Sequence, residues 1–67
     1  MKTLSAYYAE FEQELARRDT DLADAFRRYS AGHAPREVFL WLENLRTAGS
    51  LPQSLESVLT DFYWEML

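Results

Sequence analysis

Residues 50–67, SLPQSLESVLTDFYWEML, carry the clearest amphipathic pattern in the chain. Their apolar side chains recur at intervals of three and four residues, the spacing of one face of an α-helix. This stripe consists of Leu51, Leu55, Val58, Leu59, Phe62 and Met66. Ser50 and Gln53 have the spacing of a capping box, so we predict a helix over residues 51–66 that buries the stripe.

The same periodicity predicts three helices upstream, over residues 4–18, 21–31 and 35–47. Thr3 and Thr20 are the expected N-caps of the first two helices, because a hydroxyl oxygen accepts a hydrogen bond from a free amide in the first turn. Gly32 is expected to end the second helix in the left-handed conformation, and Gly49 ends the third. No Gly or Pro separates the first two helices, so one helix over residues 4–31 is an open alternative.

The composition of this 67-residue chain favours helices over strands, since it has two Gly, two Pro and no Ile. A chain of this length forms one domain. We therefore predict a single all-α domain over residues 1–67, a small antiparallel bundle of three to four helices. The third and fourth helices are expected to form a central hairpin, with the first two packed across it.

Several classes of protein and site are disfavoured. The N-terminus lacks the continuous apolar run of a signal peptide, and the longest apolar run, Val38–Leu42, is far too short to span a membrane. We therefore expect a cytoplasmic protein without a membrane partner.

With no Cys and one His, the chain offers neither a disulfide nor a His/Cys zinc site. We identify no catalytic, metal or cofactor site, interpret His33 as a capping or loop residue, and do not expect an enzyme.

The aromatic content is higher than a small core needs, with ten Phe, Tyr and Trp residues among the 67. Val38–Leu42 and Phe62–Leu67 are apolar in succession, and consecutive helical residues point in different directions. One interpretation is that part of this surplus forms an exposed interaction surface. The alternative is that the two segments face each other within the core. The candidate interaction residues are Tyr8, Phe39, Leu40, Trp41, Tyr63 and Trp64.

Charge is unevenly distributed, since residues 17–36 sum to +2 and residues 37–67 to −4. The basic block contains Arg17, Arg18, Arg27, Arg28 and Arg36, which are secondary, electrostatic candidates for an interaction site. The net charge of −4 disfavours nucleic acid as a partner, because binding to phosphates needs basic residues.

The predicted partner is another protein chain, either a different protein or a second copy in a homodimer. The expected function is stoichiometric regulation, as an adaptor or inhibitor, in the manner of small bacterial accessory factors and inhibitors carried by phages and mobile elements. Two alternatives stay open. One is a nucleic-acid-associated regulator that uses the arginine block, and the other is a structural homo-oligomer.

Overall fold

A computed structural model describes residues 2–67, which form four α-helices and one short 3₁₀ turn. The helices are α1 (Leu4–Arg18), α2 (Thr20–Gly32), α3 (Pro35–Thr47) and α4 (Glu56–Met66), with the 3₁₀ turn at Gln53–Leu55 before α4. No strand occurs within the described range, and the prediction of a small all-α bundle is confirmed. None of these helices combines the length and the apolar character needed to cross a bilayer.

Residue Asp19 separates α1 from α2, so the alternative of one continuous helix is wrong. Its backbone is extended (φ −161°, ψ 111°), and its carboxylate accepts a hydrogen bond from the Asp21 amide at 3.0 Å. Thr3 caps α1 as predicted, accepting from the Ala6 amide at 3.2 Å. Thr20 does not cap α2 but is its first helical residue, because the extended backbone and the capping carboxylate both belong to the residue before it.

The two glycines have different conformations. Gly49, just beyond α3, has a φ of +77°, so the predicted end of the third helix at this glycine is in the left-handed conformation. The prediction for Gly32 is wrong, because this residue is still helical and the chain leaves α2 through extended backbone at His33. The His33 ring lies 2.8 Å from the Tyr29 carbonyl oxygen, to which Nδ1 donates. A side chain thus satisfies a terminal carbonyl of α2, and no left-handed glycine is needed.

The segment before α4 departs from the predicted capping box. Pro52 is extended, the 3₁₀ turn follows it, and α4 starts only at Glu56. Pro52 accounts for Leu51 lying outside the helix, because proline disfavours helical backbone in the residue before it. Leu51 and Leu55 are nevertheless buried, so the predicted stripe is confirmed as core although its first two residues lie outside α4.

A cluster of five aromatic rings forms the centre of the core. Phe62 on α4 lies 5.3 Å from Phe11 on α1, measured between ring centroids, in an edge-to-face arrangement. Phe26 on α2 lies 5.9 Å from Phe11, and Tyr8 contacts both Phe26 and Phe62. Tyr7 completes the cluster, and its hydroxyl donates to the Glu65 carboxylate. Such pairs contribute about 0.5–1.5 kcal/mol each beyond the area they bury.

Helices α1 and α2 run antiparallel, and so do α3 and α4. Tyr8 lies beside Phe26 across the α1–α2 turn, and Phe39 lies beside Tyr63 across the connection between α3 and α4. The most extensive pairing is that of α1 with α2. The predicted hairpin of α3 and α4 is therefore present, but the prediction that it is the central one is wrong, since α1 and α2 pack together more extensively. The connection between α1 and α2 is a single residue and holds them together along their length, whereas α3 and α4 are joined by a longer segment that contains the 3₁₀ turn.

Candidate protein-interaction surface

Three aromatic side chains form a row across α3 and α4. The Phe39 ring centroid lies 5.0 Å from that of Tyr63, which in turn lies 5.1 Å from that of Trp64. Phe39 is half-buried, Tyr63 is 43% exposed and Trp64 is 77% exposed. These three residues are called the aromatic surface below. Both interpretations of the aromatic surplus therefore apply in part, since the two segments contact each other and still leave large rings in solvent.

Helix geometry explains why α3 contributes Phe39 to this surface. Each residue of a helix is rotated by about 100° from the one before. Val38 and Leu42 point into the core and are fully buried. Phe39 lies on the flank that faces α4, Trp41 lies on the flank that faces α2, and Leu40 is 54% exposed on the outer side. A helix that is apolar all round is thus covered on three sides here and open on the fourth.

Two of the candidate residues belong to the core instead of the aromatic surface. Trp41 packs against Phe26 and Tyr29, with both centroid distances at 5.8 Å. Tyr8 is half-buried against the central rings. Its hydroxyl oxygen is shielded from solvent and has no hydrogen-bond partner within residues 2–67. Burial raises the pKa of Tyr8 above its ordinary value, because desolvation penalises the phenolate.

A groove of about 440 Å³ runs between α3 and α4 beside the aromatic surface. Its lining consists of Phe39, Glu43, Arg46, Glu56, Ser57, Leu59, Thr60 and Tyr63. Because the two helices are antiparallel, Phe39 and Tyr63 lie at one end and Arg46 and Glu56 at the other. The groove therefore has an aromatic end and a charged end.

The charged end of the groove contains one ion pair and one further carboxylate. Arg46 donates from Nη2 to Glu43 Oε2 at 3.0 Å, and from Nε to the other oxygen of the same carboxylate. The hydrogen bond from Arg46 holds the pKa of Glu43 below its ordinary value, so Glu43 is ionised at neutral pH. Glu56 forms no ion pair with any described residue. The groove lining thus carries a net charge of −1.

The arginine block is divided by the fold. Arg17 lies 3.7 Å from the Glu14 carboxylate, and Arg27 lies 2.7 Å from that of Asp24. The first arginine pair is at the α1–α2 turn, and the second lies about 10–12 Å along α2 from its first residue, Thr20. The five residues Arg17, Arg18, Arg27, Arg28 and Arg36 are all exposed. The structure therefore does not place them in one continuous basic patch.

His33 is exposed and participates in a local stack. Its ring lies 3.7 Å from the Tyr29 ring, with 5° between the planes. This placement agrees with its interpretation as a capping residue. In the described part of the chain, no group of three or more His, Asp or Glu side chains is arranged to hold a metal ion.

The charged end of the groove and Leu67, which is 49% exposed, were not among the residues selected from the sequence. The sequence does contain a periodic pattern that includes Glu56 and Leu67. Glu56, Thr60, Tyr63 and Leu67 follow one another at helical spacing beside the core stripe. This second row is half polar, so hydrophobic periodicity alone does not reveal it.

Comparisons with protein-family models, with curated proteins and with solved structures gave no significant match. The fold and the surface therefore define only a class of protein, a small all-α bundle with an exposed aromatic surface beside a groove. They do not assign the chain to a family.

Proposed function

We propose that this chain binds another protein stoichiometrically and acts as a regulator, adaptor or inhibitor of that partner. The aromatic surface is the observation that carries the proposal. Trp64 has 77% of its surface in solvent although it lies two residues from the fully buried Phe62. Exposed aromatic groups of this size are costly in water and are enriched among the residues that contribute most to protein–protein binding.

The surroundings of Trp64 support a binding role for it. Tyr63 packs edge-on against it, and Phe39 packs against Tyr63 from the neighbouring helix. The three rings are therefore held by two helices and lose little conformational freedom when a partner covers them.

The two alternative functions receive less support. A nucleic-acid-associated regulator needs a continuous basic surface, whereas the arginines lie at both ends of α2 and two of them are in ion pairs. A structural homo-oligomer would use the same aromatic surface, and the mass in solution distinguishes it from a module that binds a different protein.

Affinity purification tests the proposal. The wild-type chain, a Phe39→Ala/Trp64→Ala variant and a Gln13→Ala control are used as baits at equal concentration. Gln13 is exposed on α1, away from the aromatic surface. Circular dichroism and urea unfolding first establish that all three baits are folded.

The expected result is a partner that the wild type and the control recover equally and that the double variant loses. Recovery of the same proteins at the same yield by all three baits contradicts the proposal. A stable dimer that recovers nothing, and that dissociates in the double variant, favours the homo-oligomer.

A further inference from the structure

We infer that the groove between α3 and α4, together with the aromatic surface, binds an amphipathic helix whose polar flank is basic. This inference rests on the proposed function and specifies the chemistry of the partner. Three features of the groove support it: the shape of the groove, the position of the aromatic end and the net charge of the lining.

The dimensions of the groove fit a helical segment. Its α3 wall extends from Phe39 to Arg46 and its α4 wall from Glu56 to Tyr63. Seven helical residues rise about 10 Å, so each wall is about two turns long. A bound helix presents its anchors at i, i+3, i+4 and i+7, which span the same length.

The aromatic end of the groove suits a large apolar anchor. A side chain placed over Phe39 and Tyr63 meets two ring systems that are already in contact with each other, with Leu59 in the adjacent lining. Trp64 stands beside this position and extends the exposed apolar area that the anchor can contact. Burial of a Leu, Phe or Met side chain at such a place favours binding because it removes apolar surface from water.

The charged end selects a basic flank. Arg46 donates both of its hydrogen bonds to Glu43, which leaves Glu56 as the carboxylate of the groove lining that is in no ion pair with a described residue, although its charge also acts on Arg46. Residues 37–67 as a whole carry −4, and the potential of this half of the chain attracts cations from a distance.

The same charge disfavours a second copy of this chain as the occupant. A two-fold symmetric contact centred on the groove brings the same patch of both copies together, so Glu56 would approach an equally acidic surface.

Three synthetic 15-residue peptides test the inference on the full chain. They share one helical template, with Leu and one Trp at the i, i+3, i+4, i+7 and i+11 positions, and differ only in having Lys, Gln or Glu on the flanks. Affinity is measured by titration calorimetry at low and high salt, and the binding site is located from amide chemical-shift changes in NMR spectra.

The Lys peptide is expected to bind at least about tenfold more tightly than the Glu peptide at low salt, with the difference shrinking as salt is added. Shift changes should concentrate along Phe39–Arg46 and Glu56–Tyr63. Glu56→Gln should weaken the Lys peptide about two- to fivefold. Asp61→Asn, the matched control on α4 outside the groove lining, should have a clearly smaller effect.

Four results overturn the inference: equal or tighter binding of the Glu peptide, no measurable binding of the Lys peptide, shift changes confined to α1 and α2, or equal effects of Glu56→Gln and Asp61→Asn. If the aromatic surface is still required in the affinity purification, the proposed function survives such a failure. If it is not required there, the proposed function fails regardless of the peptides.

Discussion

At the scale of single residues, Tyr7 and Tyr8 show how differently neighbouring residues of one type are used. Both rings pack against Phe62 in the core. The Tyr7 hydroxyl donates to Glu65, whereas the Tyr8 hydroxyl is shielded and has no partner within residues 2–67. A buried polar group without a hydrogen bond costs about 1–3 kcal/mol.

Tyr8→Phe is therefore expected to leave the free energy of unfolding unchanged or to raise it by up to about 1 kcal/mol, because it removes the unpaired hydroxyl and keeps the ring. Tyr7→Phe is the matched control and should lower it by about 1 kcal/mol through loss of the bond to Glu65. Urea unfolding of both variants measures the difference. If Tyr8→Phe lowers the free energy of unfolding by more than about 1 kcal/mol, the assignment of the Tyr8 hydroxyl as unpaired is wrong.

The glycines provide a second test at this scale. Gly49→Ala is expected to lower the free energy of unfolding by about 1 kcal/mol, since a φ of +77° is unfavourable for a residue with a Cβ atom. Gly32→Ala should be neutral or raise it by up to about 1 kcal/mol, because Gly32 is helical and has open space where a Cβ would lie. Thermal and urea unfolding measure both effects, and equal destabilisation by the two substitutions is the contrary result.

At the scale of helices, single side chains satisfy the helix ends at the first two connections, α1–α2 and α2–α3. Asp19 caps α2 through the Asp21 amide, and Glu37 in α3 accepts from the Ala34 amide at 3.0 Å. His33 closes α2 through the Tyr29 carbonyl. Each connection thus satisfies backbone groups that the helix ends leave unpaired.

Asp19→Ala is expected to lower the free energy of unfolding by about 1 kcal/mol, because α2 loses its cap. Thr20→Ala should change it by less than half as much, since Thr20 is inside the helix and Ala is the better helix former. Urea unfolding at neutral pH compares the two. If Thr20→Ala lowers the free energy of unfolding more than Asp19→Ala does, Thr20 is the cap of α2.

At the scale of the whole molecule, the stability of a 67-residue domain is small, about 3–10 kcal/mol at typical values per residue. The core that supplies it is centred on aromatic rings from α1, α2 and α4. Loss of one central ring is therefore comparable with the entire free energy of unfolding, whereas loss of a ring from the aromatic surface is not.

Phe62→Ala is expected to cost about 3–5 kcal/mol and leave the chain largely unfolded, because Phe62 is fully buried against three other rings. Trp64→Ala, two residues further on, should change the free energy of unfolding by less than about 1 kcal/mol. Circular dichroism and urea unfolding separate the two outcomes. Strong destabilisation by Trp64→Ala means that Trp64 serves the fold and weakens its proposed role in binding.

Periodicity alone was enough to predict the helix class, the approximate helix bounds and most of the core, because burial of one helix face leaves a 3.6-residue pattern in the chain. It also located the aromatic surplus in Val38–Leu42 and Phe62–Leu67. Helix ends were less accurate, since Asp19, His33 and Pro52 act through local geometry that a spacing rule does not contain.

Only the tertiary structure decided which members of the surplus are exposed. Trp41 and Phe39 lie on opposite flanks of α3, and each is covered to the extent that a neighbouring helix reaches it. Trp64 is exposed because no helix of the described chain covers the outer side of α4. The physical reason is that a sequence defines the faces of each helix, whereas the burial of a flank depends on how the other helices pack around it.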